Sequence, residues 1–388
     1  MNRLNIYLLS LGAFLVATVE LVVAGILNII ADDLNISIAL AGQLITVYSI
    51  AYAIGTPIIV TLTSRVGRKK LLIASLAVFI IGSLASFLST QYAVLMAARL
   101  ILGVSAGVFI VAALSSVAKL VPADRIGSAI GKIVLGFSSA MVLGVPIGIA
   151  ITNWFSWQFI FAVLGIVTLV VLIGMVRLLP EIEGDAPVSF KSQMTVLRNP
   201  LIISGLLLSL FWNTGNSVIF TYLTPFLQSI LHMKASSVGI MMLVLGVFGV
   251  AGTRLGGFGV DKWGTARIIG FSLVVSAAAL AFLPIASASL VLGLAVLVIW
   301  MFSIFVTAPA LQTYFVQQAP QSSNFVLSVN TSITHLGVAI GAGAGGLIVS
   351  STSTVIHNPW ISSSTYAVGL AIAIASFLLR KRGISEMA

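Results

Sequence analysis

The sequence predicts an all-α membrane protein, with twelve transmembrane helices in two six-helix, pseudo-symmetric bundles. Three observations predict it. First, 59% of the 388 residues are hydrophobic and only 7% are charged, with a mean hydropathy of +1.18. Soluble domains carry about 25% charged residues, and a globule in water could not hide this much apolar surface, so the solvent is lipid. Second, the charges collect in short loops between apolar runs. Third, landmarks recur about 196 residues apart: a run starts near Leu4 and another near Pro200, and SRVGRKK around Gly67 is echoed by DKWGTAR around Gly264. There is no cysteine, which removes disulfides, thiolate metal sites and cysteine nucleophiles.

A bilayer core takes about 20 apolar residues per helix. Breaking the chain at charge clusters and at Gly, Pro, Asn and Ser turns places spans at 4–30, 38–63, 71–89, 92–118, 127–152, 157–178, 200–228, 236–259, 266–285, 287–316, 323–350 and 360–379. The first resembles a signal peptide in its basic start and apolar run. It is too long for one, contains Glu20 and is followed by many similar spans, so it reads as a retained helix. The loops are short except 179–199, which holds Pro180, Glu181, Glu183, Asp185, Pro187, Lys191 and Arg198. That segment reads as a hydrophilic linker between an N-terminal bundle, 1–178, and a C-terminal bundle, 200–388.

Orientation follows from Lys and Arg in short loops. Twelve spans put both termini on one side. That side takes Arg3, Arg65, Arg68, Lys69, Lys70, Lys119, Arg125, Lys132, Arg177, Lys191, Arg198, Arg254, Lys262, Arg267, Arg380, Lys381 and Arg382, seventeen of the nineteen cations. The other side takes Lys234, and Arg99 lies within a span. Both termini and the linker are therefore expected in the cytoplasm. The same distribution explains the net charge of +10 without a nucleic-acid partner.

Span one, LGAFLVATVELVVAGILNII, carries Glu20 in its middle; the other eight acids, among them Asp124 and Glu386, fall in or beside loops and tails. A carboxylate in hydrocarbon is costly unless neutral, paired or facing a watery cavity, so such an acid marks a functional site. Span four carries Arg99, Gly103 and Gly107 on one helix face; the glycines admit a close neighbour. Arg99 lies about seven residues from the outer end of its span and Glu20 about ten from its own. At 1.5 Å per residue the depths differ by roughly 5 Å, so a direct or water-bridged coupling is geometrically open. The other reading of Arg99 is a tie between helices through backbone carbonyls.

Span five carries Gly136, Gly144, Pro146 and Gly148. Proline kinks a helix and glycine permits close contact, here expected against the other half. In span eleven Gly337, Gly341 and Gly345, at four-residue spacing, read as a packing face. Asn330 and His335 precede it; the histidine is either a cavity residue that titrates near neutrality or a structural hydrogen-bonding group. Spans seven and ten offer Trp212, Asn213, Asn216, Tyr222, Pro225, Trp300, Phe305 and Gln312. Aromatic walls with a few amides suit a roomy site for a flat or amphipathic solute, and helix packing is the competing explanation for each. No G-x-x-x-x-G-K-[ST] or H-E-x-x-H is present, so neither ATP-driven transport by this chain alone nor a cofactor or metal is expected. An intramembrane enzyme would need a second catalytic group at the depth of Glu20, and only Arg99 is offered. A sensor would need an output domain.

Several stretches carry a family resemblance in order along nearly the whole chain: ELVVAGILNIIADDL, AGQLITVYSIAYAIGTP, RVGRKKLL, RLILGVSAG, GFSSAMVLGVPIG with WQFIF, and THLGVAIGAGAGG. Together they resemble the major facilitator superfamily, in its twelve-span drug:proton antiporter family, nearest the arabinose- and purine-efflux branch. In the loop after span two, Leu62, Arg65, Gly67, Arg68 and Lys69 match the G-x-L-x-D-R-x-G-R-K signature, while Val60 and Ser64 replace its glycine and aspartate. The second copy keeps Gly257, Asp261, Lys262 and Gly264. Such loops either gate, by gripping helix ends and acids, or simply anchor the topology. The resemblance implies proton coupling at Arg99, an antiporter motif and hence export in span five, and a working monomer. The expectation is a proton-coupled exporter of small organic solutes or drugs in a bacterial cytoplasmic membrane, with Glu20 as proton carrier. A dedicated exporter of purine bases, nucleosides or sugars is the alternative.

Overall fold

The computed structural model describes residues 3–121, 126–184, 198–319 and 323–385. Among them the only regular structure is helical, and twelve helices are long and apolar enough to cross a membrane. They are Leu4–Gly25, Ile38–Leu62, Arg68–Phe87, Tyr92–Val117, Ile130–Trp154, Trp157–Leu178, Pro200–Phe220, Ala235–Trp263, Thr265–Ala286, Leu290–Gln318, Phe325–Thr352 and Asn358–Leu378, numbered here as spans one to twelve. Large side chains such as Leu62, Phe271, Val291 and Leu347 are exposed. In hydrocarbon they meet their like, where water would penalise them. Asp124, Arg125, Asp185, Pro187, Lys191 and Glu386 lie outside the described residues.

Spans one and seven end well before the expected residues 30 and 228. Span one breaks at Ile26 and resumes as Leu27–Asp33. Span seven stops at Phe220, before a turn Leu223–Pro225 and a wide turn Phe226–Ile230. Pro225 has no N–H to give and its ring would crowd the carbonyl of Thr221, which favours a break here, whereas spans nine and ten run on through Pro284 and Pro309. Spans two and five solve the same problem differently. Each contains a π turn, Ala51–Gly55 and Ala140–Gly144, just before Pro57 and Pro146. The carbonyls those prolines would strike, at Ala53 and Val142, sit in the widened turns.

Contacts divide the chain into two compact units, Met1–Pro187 with Ala235–Leu243, and Val188–Lys234 with Val244–Ala388. In the first unit span one is central. A side chain at Gly136 would strike the Ser10 carbonyl, one at Gly144 the Thr18 hydroxyl and one at Gly148 the Val22 side chain. The glycines of span five therefore face span one within their own unit. This corrects the expectation that they face the other half. A stripe of small residues pairs with whichever helix its own bundle brings alongside, and spacing alone does not name that helix.

In the second unit span seven holds the matching place. Gly337, Gly341 and Gly345 of span eleven lie against Asn213, Thr214, Ser217 and Tyr222, the packing face the spacing predicts. Ser217 donates to Val338 O at 2.8 Å. On the other side of span seven, Ser362 of span twelve donates to Gly215 O. Each contact gives a hydroxyl to a neighbour's backbone, which serves where no water can.

Candidate functional site

Gly103 and Gly107 explain how Arg99 reaches its place. A side chain at Gly103 would collide with the Tyr48 carbonyl and one at Gly107 with the Thr56 hydroxyl, so span two lies directly on span four. The Arg99 guanidinium is fully buried. Its Nη1 donates to Val19 O at 3.0 Å and its Nε to Leu44 O at 3.4 Å. Its Cζ lies 4.5 Å from the Tyr48 ring centroid, a cation–π contact. Arg99 thus ties spans one, two and four together through backbone carbonyls, one of the two readings left open above.

The arginine also stands beside the acid. Val19 immediately precedes Glu20, and the carboxylate and guanidinium act on each other electrostatically. Glu20 is only half-buried, whereas Arg99, Tyr48 and Tyr52 are sealed. Arg99 Nη2 and the Tyr48 hydroxyl have no hydrogen-bond partner among the described residues. Leaving a buried donor without an acceptor costs about 1–3 kcal/mol, so both atoms favour a water or a solute oxygen nearby. Tyr48 and Tyr52 are not among the site residues that the sequence predicts. Their signal was present: two tyrosines four apart in an apolar span put two hydroxyls on one helix face.

Four residues expected at a solute site are buried in helix packing. Tyr222 donates to Ala342 O at 2.9 Å, and its ring faces Gly345. Trp300 Nε1 donates to the Tyr366 hydroxyl at 3.2 Å. Asn213 Nδ2 donates to Ser209 O at 2.8 Å and to Thr334 Oγ1 at 3.3 Å. His335 is buried as well. Tyr222 and Trp300 therefore form no open aromatic wall here: their polar tips are satisfied by neighbouring helices, which leaves no surface for a solute. Trp212, Asn216 and Asn330 differ. All three are half-buried, and Trp212 Nε1, Asn216 Oδ1 and Asn330 Oδ1 lack partners among the described residues. Trp212 and Asn216, four residues apart, share one face of span seven.

The two motif loops are built differently. After span two, Arg68 is buried and its N–H donates to Ile182 O at 2.7 Å. Lys69 pairs with Glu181 at 3.4 Å, and Lys119 Nζ donates to Glu183 O at 2.8 Å and Gly184 O at 2.9 Å. A side chain at Gly184 would press on Ser64 O at 2.7 Å. The start of the linker is thus a strap laid over this loop, where Ser64 and Arg65 sit. Gly67 has φ −54°, open to any residue, but a side chain there would sit tightly against Ile182 O, at 3.2 Å. After span eight, Gly264 has φ +84°, a conformation that favours glycine. Asp261 and Lys262 are exposed there, with Lys262 Nζ 5.5 Å from the Trp263 ring centroid.

The profile of the Major Facilitator Superfamily matches residues 9–342. The chain is 34% identical over 378 residues to the uncharacterized MFS-type transporter YbcL of Bacillus subtilis, covering 97% of this chain and 96% of that one. It is 28% identical over 375 residues to the inner membrane transport protein YdhP of Escherichia coli K12, covering 96% and 95%. Among solved structures it resembles a D-xylose–proton symporter, with TM-score 0.79, 17% identity and 95% and 96% coverage. It also resembles a bacterial homologue of the human lysosomal transporter Spinster, with TM-score 0.76, 17% identity and 97% and 96% coverage. At that identity the two structural likenesses are ones of fold.

Proposed function

The chain belongs to the Major Facilitator Superfamily and is a multi-pass membrane transporter of that type, and from that premise we propose that it exports small organic solutes or drugs in exchange for protons. The observation that carries the proposal is Glu20: an acid within a span, half-buried, beside a sealed arginine. In the proposed cycle access alternates between the two sides. Facing outward, the site releases solute and Glu20 takes a proton. Neutralisation removes the cost of a bare carboxylate in hydrocarbon and lets the outer side close. Facing inward, solute binding favours release of the proton to the cytoplasm. Arg99 holds its position through Val19 O, Leu44 O and Tyr48 in either state of Glu20. Exchange of one proton for a neutral solute is electrogenic, and exchange for a monovalent cation is electroneutral.

Export rather than uptake rests on the span-five motif, and the placement of both termini in the cytoplasm rests on the loop cations. The test is transport in proteoliposomes under an imposed pH gradient with a mixed solute library. Glu20→Gln should abolish gradient-driven transport and leave solute exchange at equilibrium intact. Gradient-driven transport that survives Glu20→Gln places the coupling elsewhere.

A second reading is a dedicated exporter of purine bases, nucleosides or sugars. Two amide oxygens and an indole N–H without partners among the described residues, at Asn216, Asn330 and Trp212, suit a neutral solute with several hydrogen-bonding groups. Competition among dyes, purines and sugars for one fluorescent substrate separates the readings. Inhibition by purines or sugars and not by dyes selects the second.

A further inference from the structure

The second unit carries a feature that the transport cycle does not use. Gly252 and Gly256 press span eight onto span ten. A side chain at Gly252 would strike the Phe302 carbonyl, and one at Gly256 would come within 2.9 Å of Pro309. Spans nine and ten are stapled by buried hydroxyls: Ser303 donates to Ser272 O at 2.7 Å, Thr307 to Ser272 Oγ at 2.8 Å and Ser276 to Ser303 Oγ at 3.1 Å. Spans eight and nine are each held to span ten, and a crevice of about 410 Å³ opens between them, within the range of roughly 300–1,000 Å³ typical of ligand sites.

Its walls are Phe248, Leu255, Phe271, Val275, Ile299 and Phe302. Ser272 and Ser303 also border it, but their hydroxyls are engaged inside the staple. The crevice therefore offers carbon. A polar solute entering it would lose its water without replacement, and an alkyl chain would not. Several of these walls are exposed on the surface of a membrane-spanning chain, Phe271 among them. One end is marked by Trp263, with Lys262 Nζ 5.5 Å from its ring centroid. Arg267, one turn before Phe271, is exposed at the same end. The flanking exposed charges are Arg254 and Asp261, which offset each other. Tryptophan and cations at the mouth of an apolar slot match the boundary between lipid tails and phosphates.

We propose that this crevice holds an acyl chain of an anionic phospholipid, with its phosphate on Lys262 and Arg267. The test is native mass spectrometry of the full chain released from micelles that contain phosphatidylglycerol and phosphatidylcholine. The wild type should keep one phosphatidylglycerol in preference to phosphatidylcholine. Lys262→Gln and Arg267→Gln should each weaken that preference about fivefold, the electrostatic share of one interfacial cation, without removing bound phosphatidylcholine. Val275→Trp fills the crevice and should abolish retention of both lipids. Val298→Trp does the same from span ten, should the first variant fail to fold. Equal retention of both lipids by the wild type overturns the phosphate site. Retention that survives a folded crevice-filling variant overturns the crevice as its place.

Discussion

Arg99 is anchored by neutral groups. Two carbonyls and an aromatic face hold it beside Glu20. The ring and the hydroxyl of Tyr48 can be told apart by substitution. Tyr48→Leu removes the ring beside the guanidinium and should lower stability by about 1–2 kcal/mol. Tyr48→Phe keeps the ring and deletes a buried hydroxyl without a partner among the described residues; it should be neutral or slightly stabilising. Thermal unfolding in detergent measures both, and equal losses would mean that the hydroxyl is the working group. Glu20 and Arg99 were legible in the sequence because a charge in hydrocarbon is an anomaly whatever surrounds it. Tyr48 was not, because a tyrosine in an apolar span is ordinary until its neighbour is known.

At the scale of the helix, glycines that look alike in sequence do different work. A carbon added at Gly341 would strike Thr214 O and come within 2.7 Å of the Ser217 side chain. Gly341→Ala should cost about 1–3 kcal/mol by overpacking. Gly257, in span eight, has nothing within 4 Å, and Gly257→Ala should gain up to about 1 kcal/mol from helix propensity. If the two variants melt alike, the packing between spans seven and eleven is not what holds them. The strap over the loop after span two is a similar case. Lys69→Ala should change stability by less than about 1 kcal/mol, since Glu181 is largely exposed. Gly184→Val forces the strap off the Ser64 carbonyl and should open 179–184 to proteases. A protection pattern that is unchanged in Gly184→Val would show that the strap tolerates the added side chain. The motif predicts a glycine at 67 for a tight turn, yet its backbone there is ordinary. What crowds the position is the carbonyl of Ile182, 115 residues further on.

For the whole molecule, the loop cations predict that both termini face the cytoplasm. A fluorescent protein fused after Ala388 should light up, alkaline phosphatase fused there should stay inactive, and phosphatase inserted near Lys234 should be active. The reverse pattern would also reverse the direction assigned to transport. The twelve spans and the oddity of Glu20 were readable from the sequence alone. A bilayer imposes a length and an apolar composition on each span independently of its neighbours, and it penalises any charge by itself. Which helix each glycine stripe meets, which carbonyls receive Arg99, and which aromatics are sealed were decided only by the tertiary structure. Those choices depend on the facing surface of another helix, often more than a hundred residues away, and no local pattern records it.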